Sequence, residues 1–296
     1  MPSLRAVSLR SQIRFFKPIT SKMDIKTTRA GQDALGALGA SANARKLKFS
    51  TVTFGIFKAR YITRRENANH KVILYLHGGA YTAGDIRYAS GFGSILCART
   101  GADVFCPAYR LAPEHPFPAA LRDAVASYEY LLAEGNRPED ICFVGESAGG
   151  GLIFALALEL KATGLPLPYK LVAISPWADL TFSGKSYEDN RDVDPSLSED
   201  LLRQYAVMYA GDDPENPLIS PIFGNLCNLP PALIFAGGDE LLLSDARNLA
   251  DRIGSCGGSC ELIVDDGMWH VYPLFSCPES DAALNKINEF LEMPHG

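Results

Sequence analysis

The chain has 296 residues, 47% of them hydrophobic, and a formal net charge of -6. This length supports a substantial core, and α/β folds of this size often form one domain, here expected to span residues 1–296. The acidic balance disfavours an extended phosphate-binding surface, so we expect no nucleic-acid partner, and no apolar stretch approaches the ~20 residues of a membrane span.

The first 22 residues are basic and contain no acidic side chain. Their positive charges are Arg5, Arg10, Arg14, Lys17 and Lys22. A mitochondrial transit peptide has the same character, but the interspersed apolar residues favour an amphipathic surface helix of the mature protein. Its apolar contacts are expected from Leu4, Val7, Leu9, Ile13, Phe15 and Phe16.

From about Val72 onward, short apolar runs alternate with helical patterns. Six of these runs are predicted strands: Val72–Leu76, Asp103–Pro107, Ile141–Val144, Leu171–Ser175, Ala232–Ala236 and Cys260–Val264. They lack period-2 alternation, which is typical of parallel strands covered on both faces. Amphipathic stripes between and after them predict helices around residues 121–132, 150–160, 246–253 and 283–291. This order predicts a mostly parallel sheet with helices on both faces.

Two regions fall outside this alternation: the segment up to about residue 49 and the segment of about residues 179–229. The second contains Ser196-x-x-Glu199, which resembles a helix capping box, and a helical pattern that ends at Gly211. An insertion this long between two sheet strands usually has a function, such as that of a lid.

The sharpest chemical signal is the pentapeptide Gly145-Glu146-Ser147-Ala148-Gly149. It has the G-x-S-x-G form, follows a predicted strand and opens a predicted helix, which is the context of a nucleophile elbow. The tight turn requires small neighbours, and the helix N-terminus behind the serine offers unpaired N–H groups. We therefore predict Ser147 as a nucleophile.

A serine hydroxyl needs a base within hydrogen-bond reach. His270 follows the last predicted strand and fits the chain order serine, acid, histidine. The acid is expected after Ala232–Ala236, where Asp239 lies closest to the strand end and is preferred. Glu240 is the alternative acid, and Asp245 is interpreted as a carboxylate that caps a helix.

An oxyanion site is predicted at His77-Gly78-Gly79-Ala80-Tyr81, directly after the strand Val72–Leu76. Glycines there let backbone N–H groups approach a developing oxyanion. We assign Gly78, Gly79, Ala80 and Ala148 to it, with Gly78 permitting the turn. Candidate pocket residues are Tyr81, Tyr205, Met208, Tyr209 and Trp269.

Together these motifs resemble the hormone-sensitive-lipase-like family of α/β-hydrolase esterases. The resemblance covers about residues 70–275 and includes Tyr109-Arg110-Leu111-Ala112-Pro113-Glu114, Ser175-Pro176-Trp177 and Ser220-Pro221. It implies a carboxylic-ester hydrolase without cofactor or metal, and a cap made of about residues 1–49 and 179–229. It also implies that Arg110 and Glu114 brace the structure. The family commonly has Gly where this chain has Ala80, and Asp where it has Glu146.

The leading hypothesis is a serine esterase for short to medium acyl esters, acting through a Ser-His-Asp triad and an acyl-enzyme. Lactones or acetylated small molecules are alternative substrates for the same machinery. A catalytically silent receptor on this fold usually lacks a triad member, whereas all three positions are filled here. A lipase anchored to lipid by its basic N-terminal helix ranks lower, because the apolar residues there do not form one clean stripe.

The seven cysteines are odd in number and include no C-x-x-C pair. We expect most of them to be free thiols in a reducing compartment, and hence a cytoplasmic protein. A Cys256–Cys260 bridge is the alternative for that pair. The last strand, Cys260–Val264, is expected at a sheet edge, where it could pair with a second copy in a homodimer.

Overall fold

A computed structural model of the protein describes residues 1–65 and 70–293. In this part of the chain, eight strands form one sheet. The strands are β1 (Leu47–Thr53), β2 (Lys58–Arg64), β3 (Val72–Leu76), β4 (Asp103–Ala108), β5 (Ile141–Glu146), β6 (Lys170–Ile174), β7 (Ala232–Gly237) and β8 (Cys260–Asp265). The helices are α1 (Leu4–Thr20), α2 (Ile25–Asn43), α3 (Ile86–Thr100), α4 (Ala119–Ala133), α5 (Ala148–Thr163), α6 (Ser186–Asp189), α7 (Glu199–Ala210), α8 (Leu243–Ser255) and α9 (Pro278–Glu292).

The sheet has the order β1-β2-β4-β3-β5-β6-β7-β8. The pairings from β4 to β8 are parallel, whereas β1 and β2 pair antiparallel with each other and β2 pairs antiparallel with β4. The predicted fold class and all six predicted strands are confirmed. The hairpin of β1 and β2 was not predicted, and Leu47–Phe49 belongs to the sheet although the sequence assigned it to the cap.

Burial explains why the central strands are readable from sequence. Every residue of β3, β5 and β7 is buried, because helices cover both faces of the sheet. Parallel strands in this setting are apolar almost throughout. By contrast, β1 alternates buried or half-buried with exposed residues over its first half, as a half-solvated edge strand does. The parallel strands all end at one edge of the sheet, where functional groups collect.

The N-terminal segment is a helix, as predicted, but most of its expected apolar contacts were wrong. The side chains that point to solvent are Leu4, Val7, Phe15 and Phe16. Leu9 and Ile13 do pack against the core. The helix α1 is held mainly by its basic side chains, since Arg10 donates to Gly267 O at 2.7 Å and Lys17 donates to Asp194 O at 2.6 Å.

The insertion between β6 and β7 contains α6 and α7, and α7 ends before Gly211 as predicted. The capping box was wrong, because Ser198 is the residue before the helix and its side chain makes no capping bond. Glu199 instead pairs with Arg191 and Arg203, at 2.8 and 2.7 Å. These two pairs hold the start of α7 from both sides.

Several structural side chains behave as the sequence suggested. Arg110 pairs with Asp123 at 2.7 Å, and Glu114 pairs with Arg29 of α2 at 2.7 Å, so both brace the structure.

The free cysteines are Cys97, Cys106, Cys142, Cys260 and Cys277. The alternative Cys256–Cys260 bridge was wrong, because Cys256 is bonded to Cys227. None of the helices within residues 1–65 and 70–293 is long and apolar enough to cross a membrane.

Candidate active site

The candidate nucleophile lies at the turn between β5 and α5. Ser147 has φ 54° and ψ -123°, a strained conformation that presents the side chain at the end of the strand. Its N–H donates to Ile174 O at 2.9 Å and its carbonyl accepts from Trp177 N at 2.8 Å. A Cβ on Gly149 would lie 2.0 Å from Leu76 O, so only glycine lets the helix approach β3 this closely.

The candidate base meets this serine directly. His270, in the loop after β8, places Nε2 at 2.9 Å from Ser147 Oγ. Burial lowers the pKa of His270 to about 3. The ring is therefore neutral near pH 7 and able to accept the serine proton. Its other nitrogen, Nδ1, is buried and has no hydrogen-bond partner among residues 1–65 and 70–293.

The carboxylate that faces this nitrogen belongs to Glu240. Its Oε2 lies 3.9 Å from His270 Nδ1 and accepts hydrogen bonds from Ser175 Oγ at 2.7 Å and Gly237 N at 3.1 Å. The Glu240–His270 separation exceeds a hydrogen bond, but such contacts are often long without substrate and tighten with it. Burial raises the pKa of Glu240 to about 8, while the Ser175 hydroxyl and the Gly237 N–H favour the ionised form.

Ser175 links the acid to the base. Besides donating to Glu240, its Oγ accepts the N–H of Val271 at 2.9 Å. The residue following His270 is thereby fixed to the end of β6. The sequence had singled out this serine only as the start of a family segment, and its role became visible from the tertiary contacts.

The preferred acid, Asp239, is not brought to His270, which corrects the expectation from sequence. Its carboxylate bonds the guanidinium of Arg10 in α1. Consecutive residues in this turn point to different sides, so Asp239 stays partly exposed while Glu240 is fully buried. Asp245 does not cap a helix either; its carboxylate accepts the N–H groups of Ala178 and Asp179, each at 2.9 Å.

The oxyanion loop follows β3 as predicted. Gly79, Ala80 and Tyr81 all have positive φ, of 109°, 53° and 60°. A Cβ on Gly79 would lie 2.2 Å from Ala83 O, so this glycine is sterically required. Gly79 and Ala80 line the same cavity as Ser147. The Ala148 N–H lies in the first turn of α5, where helix N–H groups lack intrahelical acceptors.

Gly78 was assigned to the oxyanion site as the residue that permits the turn, and its N–H does not face this cavity. The N–H donates to Glu146 Oε1 at 2.6 Å, and Tyr88 donates its hydroxyl to the same oxygen at 3.2 Å. Glu146 is fully buried, and burial raises its pKa to about 7. His77 is buried too and stacks on Tyr109 at 4.2 Å between ring centroids.

A cavity of about 230 Å³ opens beside Ser147 and His270. It is lined by Thr20, Ser21, Thr28, Gln32, Gly79, Ala80, Thr82, Tyr88, Glu146, Ser147, Ser196, Leu197, Ser198, Leu201, Leu202, Tyr205, His270 and Val271. The lining comes from the N-terminal helices, the insertion and the strand ends together. Within the described ranges, no cluster of histidine, cysteine and acidic side chains is arranged to hold a metal ion.

Of the five aromatic and methionine side chains expected to line a pocket, only Tyr205 does so. Tyr81 and Tyr209 stack on each other at 3.7 Å and are buried beneath the cavity wall. Trp269 is fully buried, and Met208 packs against the core. The lining residues from α2 were missed, because that helix meets the site only through tertiary packing.

Comparison with known proteins agrees with this geometry. Residues 73–274 match the family described as the alpha/beta hydrolase fold. The chain is 37% identical over 268 residues to an acetyl-hydrolase of Streptomyces hygroscopicus, covering 90% of this chain and 87% of that protein. It is 34% identical over 224 residues to an esterase of Acinetobacter venetianus, covering 74% of each.

Solved structures give the same result. The crystal structure of EstE5 soaked with p-nitrophenyl butyrate superposes with a TM-score of 0.90 at 34% identity, covering 98% of both chains. An esterase from the bacterial hormone-sensitive lipase family superposes with a TM-score of 0.88 at 34% identity and the same coverage. The chain therefore belongs to the α/β-hydrolase fold family and, within it, to the esterases of the bacterial hormone-sensitive lipase type.

Proposed function

We propose that the protein hydrolyses esters of short to medium acyl chains, with Ser147 as nucleophile, His270 as base and Glu240 as the acid. The observation that carries this proposal is the 2.9 Å contact between Ser147 Oγ and His270 Nε2. The approach of the buried Glu240 carboxylate to the far side of the same ring supports the choice of acid. Membership of an esterase family supports the reaction class.

In this mechanism, Ser147 Oγ attacks the ester carbonyl as His270 Nε2 takes its proton. The carbonyl oxygen becomes an oxyanion that accepts N–H bonds from Gly79, Ala80 and Ala148. His270 then protonates the leaving alcohol, and an acyl-enzyme remains. Water attacks it with His270 again as base, which releases the acid and restores the serine. Glu240 holds the ring in the required tautomer. Its ionised form, which burial disfavours and the positively charged ring favours, stabilises the imidazolium.

We propose that residues 1–46 and 179–229 form the cap of this site, since Leu47–Phe49 belongs to the sheet. Both segments contribute cavity-lining side chains, Thr28 and Gln32 from the first and Leu201 and Tyr205 from the second. Lys17 also ties the first segment to Asp194 of the second. Removing the first segment should expose the cavity and change which acyl chains are accepted.

The cavity volume of about 230 Å³ supports small acyl groups over long ones. Acetyl esters are the alternative substrate, and the name of the acetyl-hydrolase relative favours them. Lactones would be opened by the same residues, since they present the same carbonyl to Ser147.

The test is hydrolysis of a p-nitrophenyl ester series from C2 to C16 by the wild type and by Ser147→Ala. We expect cleavage that is strongest for the short esters and a loss of at least about 10³-fold in kcat in the variant. A folded wild type that cleaves none of these esters would contradict the proposal and favour the receptor alternative.

The exposed apolar side chains of α1 support a second candidate function, that of a lipase that acts at lipid surfaces. Phe15, Phe16 and Ile19 of α1 are exposed, and they precede Thr20 and Ser21, which line the cavity. An exposed apolar patch at a site entrance is a candidate membrane contact. Activity on tributyrin measured across its solubility limit separates the candidates, because a lipase gains activity when the emulsion forms.

We also propose a homodimer that pairs through β8, and action in the cytoplasm. The edge position of β8 supports the dimer. The five free cysteines among the residues described support a reducing compartment, whereas the Cys227–Cys256 disulfide counts against it. Light scattering that finds only monomer at micromolar concentration would contradict the dimer. A tagged protein recovered outside the cytoplasmic fraction would contradict the location.

A further inference from the structure

The cavity beside Ser147 has a polar wall that α2 contributes. Thr28 and Gln32 are four residues apart, so they lie on one face of this helix, and both line the cavity. Neither residue takes part in the mechanism proposed above. Their chemistry therefore bears on which ester enters the site.

The amide of Gln32 lies against the oxyanion loop. A Cβ on Gly79 would be 3.1 Å from Gln32 Oε1, which places that oxygen beside the predicted oxyanion donors. This oxygen is buried, and no residue in the described part of the chain makes a hydrogen bond to it. A buried polar atom left unpaired is costly, so native proteins rarely keep one without a reason.

Thr28 repeats this situation one turn earlier. Its Oγ1 is also buried, and no described residue makes a hydrogen bond of standard geometry to it. The hydroxyl of Tyr205, on the same wall, is a weak partner: burial raises the pKa of Tyr205, and a side-chain hydrogen bond with Thr28 lowers it. The Thr28 hydroxyl is therefore only partly satisfied. Much of the remaining lining is apolar and comes from Leu197, Leu201, Leu202 and Val271.

The charges of the cavity exclude one class of ligand. Among the described side chains that line it, none belongs to a lysine or arginine. A carboxylate or phosphate on the substrate would therefore enter without a counter-charge, beside the buried Glu146. A neutral polar group fits this wall better.

We propose that Gln32 and Thr28 are specificity-determining residues that select esters carrying a hydroxyl group close to the scissile carbonyl. This inference rests on the proposed function and names its substrate class. A hydroxyl both donates and accepts, so it satisfies the Gln32 amide in either orientation and also the Thr28 hydroxyl. An ester of the same length without the hydroxyl leaves these atoms unpaired and reacts more slowly.

Two matched substrate pairs test this and show which side of the ester carries the hydroxyl. The first pair is p-nitrophenyl butyrate and p-nitrophenyl 3-hydroxybutyrate, which differ in the acyl part. The second is ethyl butyrate and glycerol monobutyrate, which differ in the alcohol part. We expect the wild type to favour the hydroxylated member of at least one pair by about tenfold in kcat/KM.

Gln32→Leu and Thr28→Val remove the polar atoms at nearly constant volume. We expect that preference to fall about tenfold in Gln32→Leu and by a smaller factor in Thr28→Val. Thr27→Val is the matched control, because Thr27 is exposed on the same helix and does not line the cavity. Each ratio is compared with that of the wild type, so intrinsic differences in ester reactivity cancel.

An unchanged preference in both variants would overturn the inference while leaving the esterase proposal intact. So would a wild type without preference in either pair, a result that requires no variant to fold. If the folded wild type cleaves none of the four esters, the proposed function fails first and this inference falls with it.

Discussion

Two buried glutamates stand on opposite sides of Ser147 and differ in what they hold. Glu146 and Glu240 are both fully buried, and each accepts one backbone N–H, from Gly78 and Gly237. Among the residues that the structure describes, none makes a hydrogen bond of standard geometry to the second carboxylate oxygen of either glutamate. Burial raises both pKa values, to about 7 and about 8.

The difference lies in the segment that each carboxylate fixes. Glu146 holds the oxyanion loop through Gly78, whereas Glu240 faces His270 and, through Ser175, the loop that carries it. Equal burial and equal chemistry thus serve two tasks, the placement of N–H donors and the support of the base. The proposed roles of Glu146 and Glu240 therefore differ because of where each residue lies relative to the reacting atoms, since both are glutamates.

The largest expected effect concerns the acid. Glu240→Gln should lower kcat for p-nitrophenyl butyrate by about 10³- to 10⁴-fold with little change in KM, since the neutral amide does not stabilise the imidazolium. Asp239→Asn is the matched control and should lose less than tenfold, because its carboxylate pairs with Arg10. A larger loss in Asp239→Asn than in Glu240→Gln would restore Asp239 as the acid.

The oxyanion side should respond less strongly. Glu146→Leu leaves the Gly78 N–H without an acceptor, and we expect kcat to fall by about 10²-fold, within the range for loss of one oxyanion donor. Glu146→Gln keeps an acceptor oxygen and should lose about tenfold or less. Steady-state kinetics of both variants check this order, and equal kcat in Glu146→Leu and wild type would remove Glu146 from the positioning of the loop.

Both carboxyls should also make stability depend on pH. Their folded pKa values lie above the ordinary 4.5, so these two groups keep protons in the folded state that they lose in the unfolded state. Burial lowers the pKa values of His77 and His270, which acts in the opposite direction below the ordinary histidine value of about 6.5. The free energy of unfolding should therefore fall as pH rises from about 6.5 to 8, by at least about 1 kcal/mol. Urea denaturation at pH 6.5, 7.2 and 8 measures it.

Glu240→Gln should flatten that pH dependence, whereas Glu129→Gln, at an exposed position of α4, should leave it as in the wild type. A wild-type stability that rises between pH 6.5 and 8 would show that these carboxyls are ionised in the folded protein at lower pH than their burial indicates.

The smallest expected effect is that of Arg10, whose guanidinium binds the Asp239 carboxylate, which does not contact His270. Arg10→Gln removes a partly exposed ion pair and the bonds to Gly267 O and Val193 O, and should lower the free energy of unfolding by about 1 kcal/mol or less. Thermal denaturation compares Arg10→Gln with Arg14→Gln, whose arginine makes an exposed contact to Asp192 O, and so separates the Arg10 contacts together from the general effect of removing an arginine from α1. A loss of activity comparable to that of Glu240→Gln would mean that this pair does more than anchor α1.

The amino-acid sequence by itself predicted the central strands, and it named Ser147 and His270, which contact each other in the structure. Parallel strands buried on both faces are mostly apolar, so β3 to β7 were readable, and β8 has a similar apolar run although it is only half-buried. The tight turn around Ser147 requires glycines at fixed spacing, and His270 follows the last strand. These features depend on local backbone geometry and on chain order, and both can be predicted from the sequence without knowledge of tertiary contacts.

Only the tertiary structure decided which carboxylate faces His270, what Gly78 donates to, which side chains line the cavity, and that Cys227 bonds Cys256. Each of these depends on the direction of a side chain within a turn, or on contacts between segments far apart in the chain. Asp239 and Glu240 are adjacent residues of similar chemistry. Their roles differ because Arg10 of α1 binds the Asp239 carboxylate, whereas Ser175, at the end of β6, binds the Glu240 carboxylate.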